Sequence, residues 1–211
     1  MNKLRRFAVT VTAALCLLSP FSDFTAAAEI HPVAMVAEQL ATDMQLIEQI
    51  ESTYRQAKKT AGVKSFKGKC ARYAGLQLVV LGINTKYVGC NGKNAFDVYK
   101  NKTETSGGYR IGAYPAKKYS LREALEAIAE KNPHARNILV GFEKGTSKAG
   151  KKYGHVMLIH GIENGMVFFS DSYAQTVNGQ RYAEGEPIVC SIDTFVELYK
   201  RYKLDGLIHF E

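Results

Sequence analysis

The stretch KGKCARYAGLQLVVLG, residues 67–82, places one cysteine at the mouth of an apolar segment. Ala71, Ala74 and the run Leu76–Leu81 follow Cys70 and make the segment apolar on most sides, which predicts a central, buried helix starting at or just before Cys70. A helix start leaves its first amides unpaired and partly positive. A thiol is nucleophilic only as thiolate, at an ordinary pKa of about 8.5, and a helix N-terminus lowers that value. The same amides can donate to an oxyanion formed when a thiolate attacks a carbonyl. Cys70 is therefore a core thiol, half of a disulfide, or a nucleophile, and the rest of the chain has to discriminate.

Around this helix the pattern predicts an α+β chain. From Val33 to about Lys59, Val33, Val36, Leu40, Met44, Ile47, Ile50 and Tyr54 recur at three- and four-residue steps, one stripe of an amphipathic helix with Pro32 in its first turn. Its place ahead of Cys70 also suits a pro-segment that masks the thiol. NAFDVYKN (94–101) reads as a short helix and TSGGYRIGAYPAKKY (105–119) as a loop. In SLREALEAIAEKNP (120–133), Ser120 and Glu123 form a capping-box pair and Pro133 closes the helix. Beyond Pro133 the periodicity shortens, and residues 137–143, 154–162, 166–172 and 186–190 read as strands. Asn164-Gly165 is a two-residue hairpin signal. A helix from Ser191 and a last strand, GLIHF (206–210), complete a mostly antiparallel sheet.

The first 28 residues have the layout of a secretory signal: a basic start at Lys3, Arg5 and Arg6, an apolar run from Phe7 to Leu18, and Ala26-Ala27-Ala28 as a small-residue cleavage site. The expected organisation is a signal peptide (1–28), an N-terminal helix with its connector (29–63) and one domain (64–211), with no transmembrane segment after cleavage. The leader carries three basic residues and Asp23, so its removal lowers the net charge from +8 to +6. A basic exported chain is drawn to anionic polymers. No aromatic-studded basic strand or arginine tract points to nucleic acid, and no Cys, His and carboxylate grouping has the spacing of a metal site. No cofactor is implied.

Three cysteines remain after cleavage: Cys70, Cys90 and Cys190. In an oxidising compartment two would pair. Cys90, in the turn-rich YVGCNGKN, and Cys190, at the end of PIVC, are a candidate intramolecular disulfide that leaves Cys70 free. A cysteine nucleophile also needs an imidazole. His155 opens the strand GHVMLIHGI directly after Gly154, and around the Asn164-Gly165 turn paired residues sum to about 329, which brings Asp171 within reach of His155. Ser170 and Ser172 then point to the opposite face. His160, five residues on, faces away from His155. His134 and His209 are expected to be structural.

GKCARYAG followed some eighty residues later by GHVMLIHGIENGMVFFSDS resembles the papain-like cysteine peptidase and amidase superfamily, in particular its NlpC/P60, CHAP and leader-peptide-cleaving branches. The resemblance covers roughly residues 64–175. It implies a papain-like fold with Cys70 as nucleophile, His155 as general base and acid, and Asp171 as the group that orients His155. It departs from the family at the sixth residue before the cysteine, where many members carry a glutamine oxyanion donor and this chain has Lys64. The implied function is a secreted or cell-wall-associated cysteine hydrolase that cleaves an amide bond in bacterial peptidoglycan peptides. Two alternatives stay open: a protein- or leader-peptide-cleaving cysteine protease, and a non-catalytic exported binding module.

Overall fold

The computed structural model describes residues 30–84, 98–146 and 152–211. The leader and Cys90 lie outside the described residues, as do residues 94–97 of the segment 94–101. Two compact units are present, Met1–Ala41 and Thr42–Glu211, and the architecture below is that of the second.

Four helices and eight strands are described: α1 (Ile30–Ala61), α2 (Cys70–Val80), β1 (Ile111–Pro115), α3 (Leu121–Lys131), β2 (Arg136–Thr146), β3 (Lys152–Glu163), β4 (Met166–Phe169), β5 (Gln175–Val177), β6 (Gln180–Tyr182), β7 (Ile188–Ser191), α4 (Ile192–Tyr199) and β8 (Leu204–Phe210). Six strands form one antiparallel sheet in the order β1-β8-β2-β3-β4-β7, and β5 pairs with β6 in a separate hairpin. The chain is α+β.

The sheet is covered on both faces, which explains its nearly continuous apolar strands. Alternate side chains of a strand point to opposite faces. In β2 and β3, Leu139, Val156 and Leu158 pack with Ala74 and Leu78 of α2, while Ile138, Val140, Met157 and Ile159 pack with Leu125 and Ile128 of α3 and Phe195 and Tyr199 of α4. The far side of α2 carries Tyr73 and Leu76, which meet Phe66 and Ala57 of α1. Helix α2 is thus enclosed between α1 and the sheet, the physical reason for its all-round apolar sequence.

In α1 the helical periodicity is as expected, but the buried line differs. From Thr42 onward it runs through Leu46, Ile50, Thr53 and Ala57, and Met44 is exposed. Leu46 and Ile50 pack on Phe168, and Gly161 leaves room for Leu46, since a Cβ there would stand 3.1 Å from its Cδ1. These α1 side chains belong to the domain core.

The capping box at Ser120 and Glu123 is formed in both directions. The Asn164-Gly165 turn has positive φ at both residues (48° and 79°), as a type I′ hairpin requires. Pairing follows the sum of 329 from Glu163↔Met166 to Gly161↔Phe168, then a bulge at His160 shifts it to Ile159↔Phe169. The segment expected as a loop contains β1, an edge strand on β8. Its five residues include Gly112 and end at Pro115, a composition that reads as loop and that a sheet accepts only at an edge.

Candidate active site

Lys69 is the N-cap of α2 and its side chain makes no capping bond, so the first-turn amides are not satisfied by a side chain from that position. The loop before Cys70 is fixed from a distance. The half-buried Glu184 carboxylate accepts from the Phe66 amide at 2.6 Å, from the Tyr54 hydroxyl at 3.2 Å, and from the Ser65 hydroxyl. Gly185 sits against the Tyr54 ring so closely that a Cβ would stand 2.2 Å from it, which lets the Glu184 turn approach. Lys64, six residues before Cys70, is exposed.

The mouth of β3 passes the thiol. Cys70 Sγ lies 3.9 Å from the Gly154 carbonyl oxygen, with the backbone amides of Val156 and Ala71 beside it. Burial pushes the Cys70 pKa up, but the hydrogen bond and charge of His155, together with these two amides, outweigh it and bring the thiol below its ordinary value. Burial likewise disfavours the His155 imidazolium. The hydrogen bonds and charges of Asp171 and Cys70 nevertheless raise its pKa to about 9. Both shifts favour a thiolate–imidazolium pair near neutral pH.

His155 Nε2 lies 3.1 Å from Asp171 Oδ2, which leaves Nδ1 to serve the sulfur. The Asp171 side chain is fully buried yet well supplied with donors. Oδ2 also accepts from the Tyr199 hydroxyl at 2.6 Å and from Gln175 Nε2 at 2.7 Å; Oδ1 accepts from the Tyr173 amide at 3.1 Å and the Ser172 hydroxyl at 3.3 Å. Burial raises a carboxyl pKa, but these bonds and the His155 charge hold Asp171 below the usual carboxylate range. The imidazole is further confined by aromatic rings, with Tyr202 at 5.6 Å, Tyr173 at 5.9 Å, Tyr199 at 6.0 Å and Phe142 at 6.3 Å between centroids. Aromatic faces at such distances favour a cationic ring.

The structure thus brings together Cys70, His155 and Asp171, the three residues singled out from the sequence. Ser170 turns the other way, to the Tyr73 hydroxyl at 2.7 Å. Ser172 does not follow it. Regular pairing of β4 ends at Phe169, and the chain bends so that the Ser172 hydroxyl serves Asp171. His160 is on the α2 face, with its Nε2 2.9 Å from Gln77 Nε2. His134 meets Glu163, and His209 meets Glu211.

Sequence reasoning missed Tyr173, Gln175, Tyr199, Tyr202 and Glu184. Tyr199 carried a partial signal, since it continues the buried stripe of α4, but its hydroxyl partner lies 28 residues away. Beside the imidazole, Tyr173, Ala174, Gln175, Arg201 and Tyr202 line a groove of about 450 Å³. Cys190 is a buried free thiol whose pKa burial pushes up to about 12; the Cys90 half of the expected disulfide lies outside the described residues. Among the described residues no group of three or more His, Cys, Asp or Glu could hold a metal ion, and no helix is long and apolar enough to cross a membrane. Comparison of the chain with family models, with curated proteins and with solved structures gives no match.

Proposed function

We propose that the protein is a papain-like thiol hydrolase that cleaves an amide bond in the peptide part of bacterial peptidoglycan after export. The reading is carried by one observation: a free thiol of lowered pKa beside an imidazole whose other nitrogen is held by a buried, fully hydrogen-bonded carboxylate. In this scheme the Cys70 thiolate attacks the amide carbonyl, and the His155 imidazolium gives its Nδ1 proton to the departing amine. The resulting thioester is hydrolysed by a water that His155 deprotonates. Asp171 keeps the ring aimed throughout and stabilises its charge. The substrate class rests on the sequence resemblance, the signal-like leader and the basic charge.

The test is to incubate purified peptidoglycan sacculi, and separately unfolded casein, with wild-type protein and with Cys70→Ala. New amino groups are then counted and the products read by mass spectrometry. Wild type is expected to release peptides from sacculi and Cys70→Ala none, a loss of at least about 1,000-fold for a missing nucleophile. Cleavage of casein with intact sacculi would transfer the assignment to a protein-cutting protease. Binding to sacculi without cleavage would make the chain a non-catalytic module.

A further inference from the structure

With Lys64 in place of a glutamine, the attacked carbonyl has one evident donor, the Cys70 amide, and the reading above needs a second. We propose that the phenol of Tyr173 is that second oxyanion donor, reaching the reacting carbonyl from the loop after Asp171 rather than from the loop before Cys70. This inference rests on the hydrolase reading and deepens it.

Three observations converge. The Tyr173 hydroxyl hangs over Gly68, two residues before the nucleophile, where a Cβ would stand 4.0 Å from it. Among the described residues nothing accepts the phenol proton, so the hydroxyl has it to give. The ring lies 5.9 Å from the His155 ring, so the phenol spans from the nucleophile loop to the imidazole. The backbone that carries the ring is anchored independently of substrate, because the Tyr173 amide is bonded to Asp171 Oδ1 at 3.1 Å. Burial, then the Cys70 charge, raises the Tyr173 pKa against the influence of the Gly68 backbone, so the phenol stays protonated and able to donate at neutral pH.

The step balances without any added reagent. The thiolate sulfur forms a bond to the carbonyl carbon, and the C=O π pair moves to oxygen. The Cys70 N–H and Tyr173 O–H share that charge. The pair then returns to rebuild the carbonyl as the C–N bond breaks, and the amine leaves with the His155 proton.

Two reactions of the same sulfur separate this role from a structural one. Alkylation by iodoacetamide displaces iodide and develops no oxyanion, whereas acylation by p-nitrophenyl acetate passes through one. Both rates, and thermal melting, are to be measured for wild type and Tyr173→Phe. Tyr173→Phe is expected to melt as wild type and to alkylate within about 2-fold of it at every pH. Its acylation burst should be slower by about 100-fold, the usual cost of one such donor. Unchanged acylation would overturn the Tyr173 assignment and leave the hydrolase reading standing. Equal slowing of both reactions would overturn it too, because the phenol would then be shaping the thiol–imidazole pair. A wild-type Cys70 that alkylates as an ordinary thiol and gives no burst would remove the hydrolase reading, and this inference with it.

Discussion

Replacing Asp171 by Ala is expected to destabilise the domain by about 3–5 kcal/mol and to strip Cys70 of its reactivity at pH 6. The size follows from what the carboxylate holds. Tyr199, fully buried, donates to it at 2.6 Å, Gln175 at 2.7 Å, the Tyr173 amide at 3.1 Å and His155 at 3.1 Å. Alanine leaves all four without their acceptor, and two of them, Tyr199 and His155, are buried, where each stranded polar group costs about 1–3 kcal/mol before relaxation. Asp171→Asn separates the two consequences. Its amide oxygen still accepts from Tyr199, so most of the stability should return, but the charge that favours the imidazolium is gone. Urea midpoints and alkylation at pH 6 read the two effects in parallel. The account of the site fails if Asp171→Ala melts like wild type.

A second large effect is tied to pH. His160 is fully buried on the α2 face, where the Gln77 amide nitrogen donates to Nε2 and Nδ1 has no partner among the described residues. Burial alone lowers its pKa to about 3, far under the unfolded value of about 6.5. The unfolded chain therefore binds a proton through this window that the folded chain refuses. The contribution is fully present above pH 6.5 and is lost as pH falls toward 3. From pH 7 to pH 5 the loss is on the order of 2 kcal/mol. His155 and Asp171 behave differently. The raised His155 pKa adds stability below about pH 6.5 that disappears as pH rises through 9, and the lowered Asp171 pKa adds stability that goes only in stronger acid. His160→Gln should flatten the pH 5–7 slope of the urea midpoint whatever it does to stability at pH 7. An unchanged slope would show that His160 takes up a proton in the folded state.

The fold was legible where local rules act alone. The buried helix after Cys70, the Ser120–Glu123 cap and the Asn164-Gly165 turn are each set by a few neighbouring residues, and each formed as read. The signal for β5–β6 was also present in Asn178-Gly179, both at positive φ, but strands of three residues are too short to show alternation. Strand β1 was lost because its Gly and Pro are turn residues everywhere except on a sheet edge. In α1 the stripe was misplaced by one position: Thr53 and Ala57, weakly apolar, are buried by what packs on them, and Met44 is not. The site splits the same way. Cys70 and His155 announce themselves by standing at the start of a helix and of a strand. Asp171 needed only the hairpin register, with the bulge at His160 inside the one-residue tolerance of that count. Tyr173, Tyr199 and Glu184 act across distances in sequence that no local pattern encodes; Glu184 reaches Phe66 over 118 residues.

One measurement bears most directly on whether Cys70 and His155 form an ion pair. Native protein is alkylated with iodoacetamide from pH 5 to pH 9, and modification at each cysteine is read by mass spectrometry for wild type and for His155→Ala. In wild type, Cys70 should already react near pH 6 while the buried Cys190 stays silent, and in His155→Ala the onset should move up by at least about two pH units toward an ordinary thiol. A wild-type Cys70 that reacts only above pH 8, or that reacts identically without His155, would contradict the pair and the chemistry built on it.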